Sequence, residues 1–517
     1  MRVSKFLIGI DAGTSMVKSV VFDEKGDELA VARQRTTVLN PRPNWDEQDM
    51  LEVWYAVVKT IKEAVAKSGV PSEDICAIGV TGQGDGCWLI DEGGNPVRPA
   101  ILWSDGRAGD LIARWQSEGI SENAYRILGS VLFPGVQSAI IKWLDENEPD
   151  SLMKSRWALY CKDWLKYKLT GEITTDETDG CVPHFDIAAR QYSDELLQMY
   201  GTVKYKYLLP PVKSTLENYA PLTHEAASLL GLSSGIPVVG GPFDVIATAT
   251  GVGAIHPGDA CSIIGTTCFN EVVMDGPYIE PLNVGFTMCH GFAGLWVKAM
   301  GVMMGTPNLD WILAQVGRTY EEEATERNIS FYDVVEEHVK DMDIGAGGII
   351  YHPYLSASGE RAPFVKPTAR AQFFGITATH NRDNLVRAVY EGVGFAMMDC
   401  YQYIPMKVNR VRVSGGGAQS AFWCQLLSDM TGLPLEVPRG SEFGANGTAL
   451  VAGVVVGLYK DIEEAIERTV RLDRQYQPDL EKTKRARAFY TLYRRLYEHL
   501  WDDWDLLQEI LMQRMSF

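Results

Sequence analysis

Asp11, Gly13, Thr14 and Ser15 stand in the run Phe6 to Phe22, FLIGIDAGTSMVKSVVF, between two apolar strand patterns. An extended apolar run ending in an acid, then a turn of small residues, leaves backbone N–H groups and hydroxyls facing outward. Such a turn suits a terminal phosphate, with Asp11 placed to hold a divalent cation. Taken alone, it also fits an Asx-type turn closing a hairpin. A second copy tips the balance: from Asp259 the chain reads DACSIIGTTCFNEVVMD, with Gly265, Thr266 and Thr267 at its turn. Two phosphate-type hairpins in one chain suggest a duplicated core closing on one nucleotide.

Asp244 follows the strand pattern Ile236 to Val239 and stands at the mouth of a helix of small residues, in GGPFDVIATATG. A carboxylate there is either a helix N-cap or a general base that takes the proton from a hydroxyl attacking a γ-phosphate. Ala247 and Ala249 keep its surroundings open, which favours a site. The loop Thr81 to Gly86, TGQGDG, follows the buried run Ile75 to Val80. Gln83 and Asp85 offer it an amide and a carboxylate for a polyhydroxylated ligand, unless it is a mere turn. Trp103 and Asp105, in PAILWSDGRA, add a wall and a second acceptor, although a core position is the commoner fate of a tryptophan. Gly415 to Gly417 sit between a strand and a helix, where a flat base or a ribose could approach the backbone closely or the chain could simply turn. Gly444 and Asn446, in EFGANGTAL, repeat that theme. The polar loop Tyr354 to Phe364 shows no chemistry by periodicity.

The elements that must position these residues are legible in outline. The turn Asp23 to Gly26 leads to a third strand near Glu28 to Arg33. Leu51, Trp54, Val58, Ile61 and Val65 recur at helical steps, and Gly69 stops that helix. The continuous apolar run Ile75 to Val80 reads as a strand buried on both faces. Three strands in hairpin order, a helix and a buried strand open a ribonuclease-H-like unit. The second half repeats the plan. Its strands are Ala260 to Ile264, Phe269 to Met274, Leu295 to Met300, Val411 to Val413 and Leu433 to Val437; its helices run from Arg382 to about Ile404, Ser420 to Thr431 and Gly444 to Gly457. The last 35 or so residues read as one amphipathic helix. The expected fold class is α/β, with two such domains around a central cleft where a ligand sits. The expected division is 1–253, carrying the acceptor pocket and first phosphate hairpin, 254–480, carrying the nucleotide site, and a C-terminal helix 481–517.

Composition limits the partners. At 517 residues the chain exceeds one ordinary core, and 46% hydrophobic with 22% charged residues is that of a folded, water-exposed protein. A net charge of −19 argues against nucleic acid or an anionic membrane, while ATP remains open because backbone amides and a metal handle its phosphates. Nine cysteines without a C-x-x-C pair fit free thiols in a reducing cytoplasm. The opening MRVSKFLIGID has no leader pattern, and Ala449 to Leu458 is about half a membrane span. A homodimer is left open.

Taken jointly, these motifs resemble the FGGY carbohydrate kinases of the sugar-kinase, Hsp70 and actin superfamily. The resemblance rests on IGIDAGTS, TGQ, PAILWSDGRA, GGPFD before IGTT, SGERAPF with FFGIT, SGGGAQS and EFGANGTAL, in family order from residue 7 to about 460. It implies an actin/hexokinase-type ATPase fold using ATP and Mg²⁺. It implies Asp244 as catalytic base, and Asp11 with Asp244 about the metal. Gly13, Thr14 and Ser15, with Gly265, Thr266 and Thr267, would meet the β and γ phosphates. Gly305 and Thr306 would lie near the nucleotide, and Gly416, Gly417 and Ser420 by the adenosine. Gln83, Gly84, Asp85, Trp103 and Asp244 would line the acceptor pocket.

One departure sets the branch. D-xylulose kinases usually show Met-His after TGQ and glycerol kinases Arg-Glu, whereas here the pair is Gly84-Asp85. Losing both larger side chains is expected to enlarge that wall. The sequence is similar to the branch of erythritol kinases and L-xylulose kinases, with erythritol the expected acceptor and a pentulose such as L-xylulose, D-xylulose or ribulose the alternative. Outside enzymes, a nucleotide-switched binding protein of the chaperone or filament type shares the fold, but has no need of a hydroxyl-lined pocket beside the γ-phosphate.

Overall fold

The computed structural model describes residues 5–514, apart from the side chains of 513 and 514; residues 1–4 and 515–517, which the sequence reading joins to the first strand and last helix, lie outside. The chain forms two compact units. One gathers the chain up to Pro257 with Val273–Lys298 and Gly440–Arg471; the other gathers Gly258–Val272, Ala299–Arg439 and the chain from Leu472 onward.

The first unit opens with β1 (Phe6–Ala12), β2 (Met16–Phe22), β3 (Glu28–Arg35), the helix α1 (Met50–Ser68) and β4 (Ile75–Gly82). It continues with β5 (Tyr219–Pro221), β6 (Pro237–Gly240) and α2 (Asp244–Val252). The six strands of its main sheet lie in the order β5-β6-β4-β1-β2-β3. β1, β2 and β3 form an antiparallel meander, β4 adds in parallel to β1 on its other side, and β6 in parallel to β4. This is the ribonuclease-H-like order, with β5 added at the edge. Asp49 caps α1 by accepting from the Leu51 and Glu52 N–H groups, and Gly69 ends it in the left-handed conformation. Val57, Ile61 and Ala64 of α1 are fully buried in one core.

In the second unit β7 (Asp259–Ile264) pairs antiparallel with β8 (Cys268–Met274), from Ala260 opposite Val272 to Ile264 opposite Cys268. After the helix α3 (Arg382–Gln402) comes β9 (Arg410–Ser414), parallel to β7, then α4 (Ala421–Thr431) and β10 (Leu435–Pro438), parallel to β9. The chain then returns to the first unit as α5 (Phe443–Val455) before closing the second with β11 (Leu472–Tyr476), α6 (Leu480–His499) and α7 (Trp501–Arg514). The neighbour order β8-β7-β9-β10-β11 repeats the plan of the first unit.

Two features differ from the sequence reading. The final stretch is two helices interrupted at Leu500, not one. And α5, grouped by sequence with the second half, packs on β1 and β4 of the first unit. A Cβ on Gly9 would sit 2.0 Å from the Ala445 carbonyl oxygen, and one on Gly79 2.2 Å from that of Thr448. Backbone therefore lies directly on backbone there, an approach only glycine allows. All nine cysteines are free thiols, and no helix among the described residues is long and apolar enough to cross a membrane.

Candidate active site

In the first unit the parallel strands β1, β4 and β6 deliver Asp11, Gln83 and, after a short turn, Asp244 from their carboxyl ends. That is where ligands gather in open α/β sheets. Asp11 stands opposite Lys18 in register, with Nζ 3.8 Å from its Oδ2. Lys18 is drawn on to Glu442, 2.9 Å away, and Glu442 also accepts from Arg33 Nε at 3.0 Å. Burial alone would raise the Glu442 carboxyl, but Lys18 and Arg33 hold it below the ordinary range. Asp11 is raised, because burial outweighs Lys18 and the Glu442 charge adds to it.

Asp244 is the first residue of α2, and the N-cap position belongs to Phe243. The carboxylate accepts the Val245 N–H at 2.7 Å. Burial pushes it up to about 7, helped by the charges of Asp11 and Asp85 against that hydrogen bond. An acid tuned near neutrality beside a second carboxylate is what general base chemistry asks for. The turn ahead of Asp244 is anchored from below. Phe243 N–H donates to Thr178 Oγ1 at 3.0 Å, and Thr178 donates to Asp176 at 2.9 Å. Asp176 shares the fully buried Lys162 ammonium with Asp163 and Asp179, at 2.9, 2.7 and 3.0 Å.

Gln83 and Trp103 meet the phosphate-type turn in a closed hydrogen-bonded ring. Trp103 Nε1 donates to Thr14 Oγ1, Thr14 Oγ1 to Gln83 Oε1, Gln83 Nε2 to Gln48 Oε1, and Gln48 Nε2 to the Thr14 carbonyl, each at 2.9 Å. Gln83 is only 2% exposed. The Thr14 hydroxyl proton is committed to Gln83, so donation from this turn to an anion falls to backbone N–H groups and to Ser15, which is exposed.

Two expectations need correction. The space beside Gly84 is not open: a Cβ there would lie 2.4 Å from the Phe243 ring, which fills that wall. Asp105 is no acceptor for a ligand. It is 1% exposed, receives Arg107 Nε and Nη2 at 2.8 and 2.9 Å, and accepts the Asp46 N–H at 2.8 Å. Asp85 is partly exposed with φ +54°. The reading missed Gln48, Glu442, Lys162 and Thr178. Each acts on at least one partner distant in sequence, and only Glu442 stood inside a quoted motif, as the first residue of EFGANGTAL, where its role went unread.

The second unit carries the other set. Gly265, Thr266 and Thr267 form the β7–β8 turn, with Thr266 exposed. Gly305 N–H donates to the Thr266 carbonyl at 2.9 Å and Thr306 N–H to that of Gly265 at 2.8 Å. Thr306, Glu336, Tyr390, Gly416, Gly417 and Ser420 line one cavity of about 610 Å³, a size that takes a nucleoside. Ser420 also caps α4, its Oγ accepting the Trp423 N–H at 2.8 Å. The Tyr390 hydroxyl and Trp423 Nε1, on residues of the same lining, are buried and make no hydrogen bond among the described residues.

Comparison with known proteins shows the family. Residues 6–251 match the N-terminal domain of the FGGY family of carbohydrate kinases and residues 260–456 its C-terminal domain. Erythritol kinase of Brucella abortus (strain 2308) is 32% identical over 97% of this chain and 97% of its own. L-xylulose/3-keto-L-gulonate kinase of Escherichia coli (strain K12) is 31% identical over 96% and 97%. The crystal structure of xylulose kinase from Rhodospirillum rubrum superposes with a TM-score of 0.87 at 26% identity, covering 97% of this chain and all of that one. The fold is thus that of the two-domain actin/hexokinase-like sugar kinases. Matched through both of its halves, with relatives along its whole length, the chain belongs to the FGGY family of carbohydrate kinases and is a carbohydrate kinase.

Proposed function

We propose that this carbohydrate kinase transfers the γ-phosphoryl group of ATP to a terminal hydroxyl of a small polyol, erythritol, in the cytoplasm and with Mg²⁺. The observation that carries the reaction type is Asp244, a carboxyl raised to about 7 at the ends of the parallel strands, beside Asp11 and Asp85. Asp244 takes the proton of the acceptor hydroxyl as its oxygen attacks the γ-phosphorus. The bond from that phosphorus to the β,γ-bridging oxygen breaks, and ADP leaves. Asp85 accepts a further acceptor hydroxyl, and Trp103 walls the pocket against water, the competing nucleophile. The turn Gly265 to Thr267 supports the phosphates, and the cavity lined by Tyr390, Gly416 and Gly417 takes the adenosine.

Among the described residues no group of three or more His, Cys, Asp or Glu forms a metal cage. That suits Mg²⁺, which is usually held by one or two carboxylates, water and substrate phosphates. Asp11 and Asp244 fit this role, since each is raised by burial and Asp244 is raised further by the Asp11 charge. Bound there, the ion would neutralise charge on the β and γ oxygens.

The acceptor choice is supported by the likeness of the Gly84-Asp85 pair to the erythritol kinase branch and by the erythritol kinase relative, not by added space at Gly84. The L-xylulose/3-keto-L-gulonate kinase relative, at nearly equal identity, favours a pentulose instead. Coupled ADP release over erythritol, other tetritols, glycerol, D- and L-xylulose, ribulose and ribitol separates the two. Erythritol is expected to give the highest kcat/KM, and a clear preference for a ketopentose replaces it with a pentulose kinase.

A further inference from the structure

The loop Tyr354 to Phe364 shows no chemistry in sequence, yet it buries a carboxylate behind the second phosphate-type turn. Glu360 is 2% exposed. Its Oε1 accepts three backbone N–H groups, from Arg361 at 2.8 Å, Met303 at 3.0 Å and Ala362 at 3.3 Å. Its Oε2 is enclosed without a hydrogen-bond partner among the described residues. The loop is closed on itself by paired backbone bonds between Glu360 and Lys366, at 3.0 and 2.8 Å, so the carboxylate is presented from a fixed base. Burying an acid costs stability when no cation pairs it tightly. Arg361 and Ala362 are neighbours of Glu360 in the chain, so the contact that ties the carboxylate to another segment is the one to Met303.

Met303 follows the strand Trp296–Val302 and opens the segment that touches the hairpin. Gly305 N–H bonds to Thr266, and Thr306 bonds to the Gly265 carbonyl through both its N–H, at 2.8 Å, and its Oγ1, at 3.1 Å. A Cβ on Gly305 would come within 2.5 Å of the Gly265 oxygen and 2.7 Å of the Thr267 oxygen. With the two backbones in direct contact, a shift of the Met303 to Thr306 segment displaces the turn.

We propose that Glu360 is a positioning residue for the nucleotide: by holding Met303 N–H it sets the segment against which the Gly265 to Thr267 turn is built. This rests on the reading of that turn as a phosphate site. The test compares the full-length variants Glu360→Gln, Glu360→Asp and Glu360→Ala in ADP binding by isothermal titration calorimetry and in steady-state kinetics. Gln keeps the acceptor at full reach and is expected to bind ADP within about twofold of the parent. Asp is one methylene short and Ala has no acceptor, so both are expected to weaken ADP binding about tenfold and to raise KM for ATP in step, leaving KM for the acceptor unchanged. A merely structural role would lower the active fraction, and so kcat, without this split. The inference is overturned if Asp or Ala binds ADP as the parent does, if Gln falls as far as Ala, or if both KM values rise equally. Should Ala fail to fold, the Gln and Asp pair decides. The double variant Thr266→Val, Thr267→Val separates the premises. Unchanged ADP affinity there removes the phosphate reading and this inference with it, whereas weakened affinity beside unaffected Glu360 variants overturns the positioning role alone.

Discussion

Asp244 is tuned in a way that has a cost. An ordinary aspartate titrates near 3.9, and here burial and the Asp11 charge bring the group to about 7. As the base it must be unprotonated, so kcat/KM for the acceptor is expected to fall as pH drops below about 7, since that ratio reports the free enzyme. The linkage to stability has the opposite sign. Because the folded-state pKa lies above the unfolded one, the folded protein holds the extra proton between about pH 4 and 7, and the stability this group contributes is lost as pH rises through that window. Asp244→Asn should therefore bind metal-free ADP normally, lose transfer by about 10²- to 10⁴-fold, and, without metal, melt higher than the parent at pH 8, with the gain shrinking toward pH 4. Near-parental turnover would remove Asp244 from the base role. Asp11 and Asp244 could be singled out in sequence because Asp11 stands at the end of a strand pattern before a turn of small residues and Asp244 opens a helix just after one. Gln48 and Glu442 were not, since their meaning lies in Gln83, Thr14, Lys18 and Arg33, which only the folded sheet and α5 bring to them.

Among the elements, the break between α6 and α7 is the clearest departure from the sequence pattern. Periodicity continues through Leu500, but the aromatic residues beyond it have a destination that periodicity does not encode. Trp501 packs edge-on to Phe364 at 5.1 Å, Trp504 to Tyr354 at 5.7 Å, and Asp505 takes Lys366 Nζ and Thr368 Oγ1, each at 2.6 Å. The loop that carries Glu360 is thus pinned from outside by α7. Truncation after Leu500 is expected to uncover Tyr354 and Phe364, lower the melting temperature, and weaken ADP binding by more than it changes KM for the acceptor. Equal nucleotide affinity in the truncated and full chains would show that the loop holds its shape without α7. The apolar stripe Leu506, Leu507, Ile510 and Leu511, 43 to 52% exposed, explains why the stretch reads as amphipathic even though α7 anchors through other residues.

At the scale of the whole molecule, sequence reading sees two halves, whereas the contacts join the chain's ends differently. The motif order and the repeated hairpins suggest a cut near residue 253, because each half shows its own strands and helices. What such a pattern omits is where a helix goes after it forms, and α5 goes back. Its residues Ala445, Ala449, Leu450, Val451 and Ala452 are buried in one cluster with Leu7, Val20, Phe22 and Ala77 of the first sheet. In a fragment of residues 1–253, that sheet face and the glycine-lined tracks at Gly9 and Gly79 would be bare, an apolar patch of the kind that drives aggregation. The fragment is therefore expected to precipitate or to bind ANS without cooperative unfolding. Joining residues 440–471 to it through a flexible linker should restore a soluble, cooperatively melting unit, because α5 then covers the sheet. Urea unfolding followed by far-UV circular dichroism on both versions decides the matter. A cooperative transition of the 1–253 fragment alone would mean that the first sheet is stable without α5, and that the close glycine contacts serve only to place Glu442 beside Lys18.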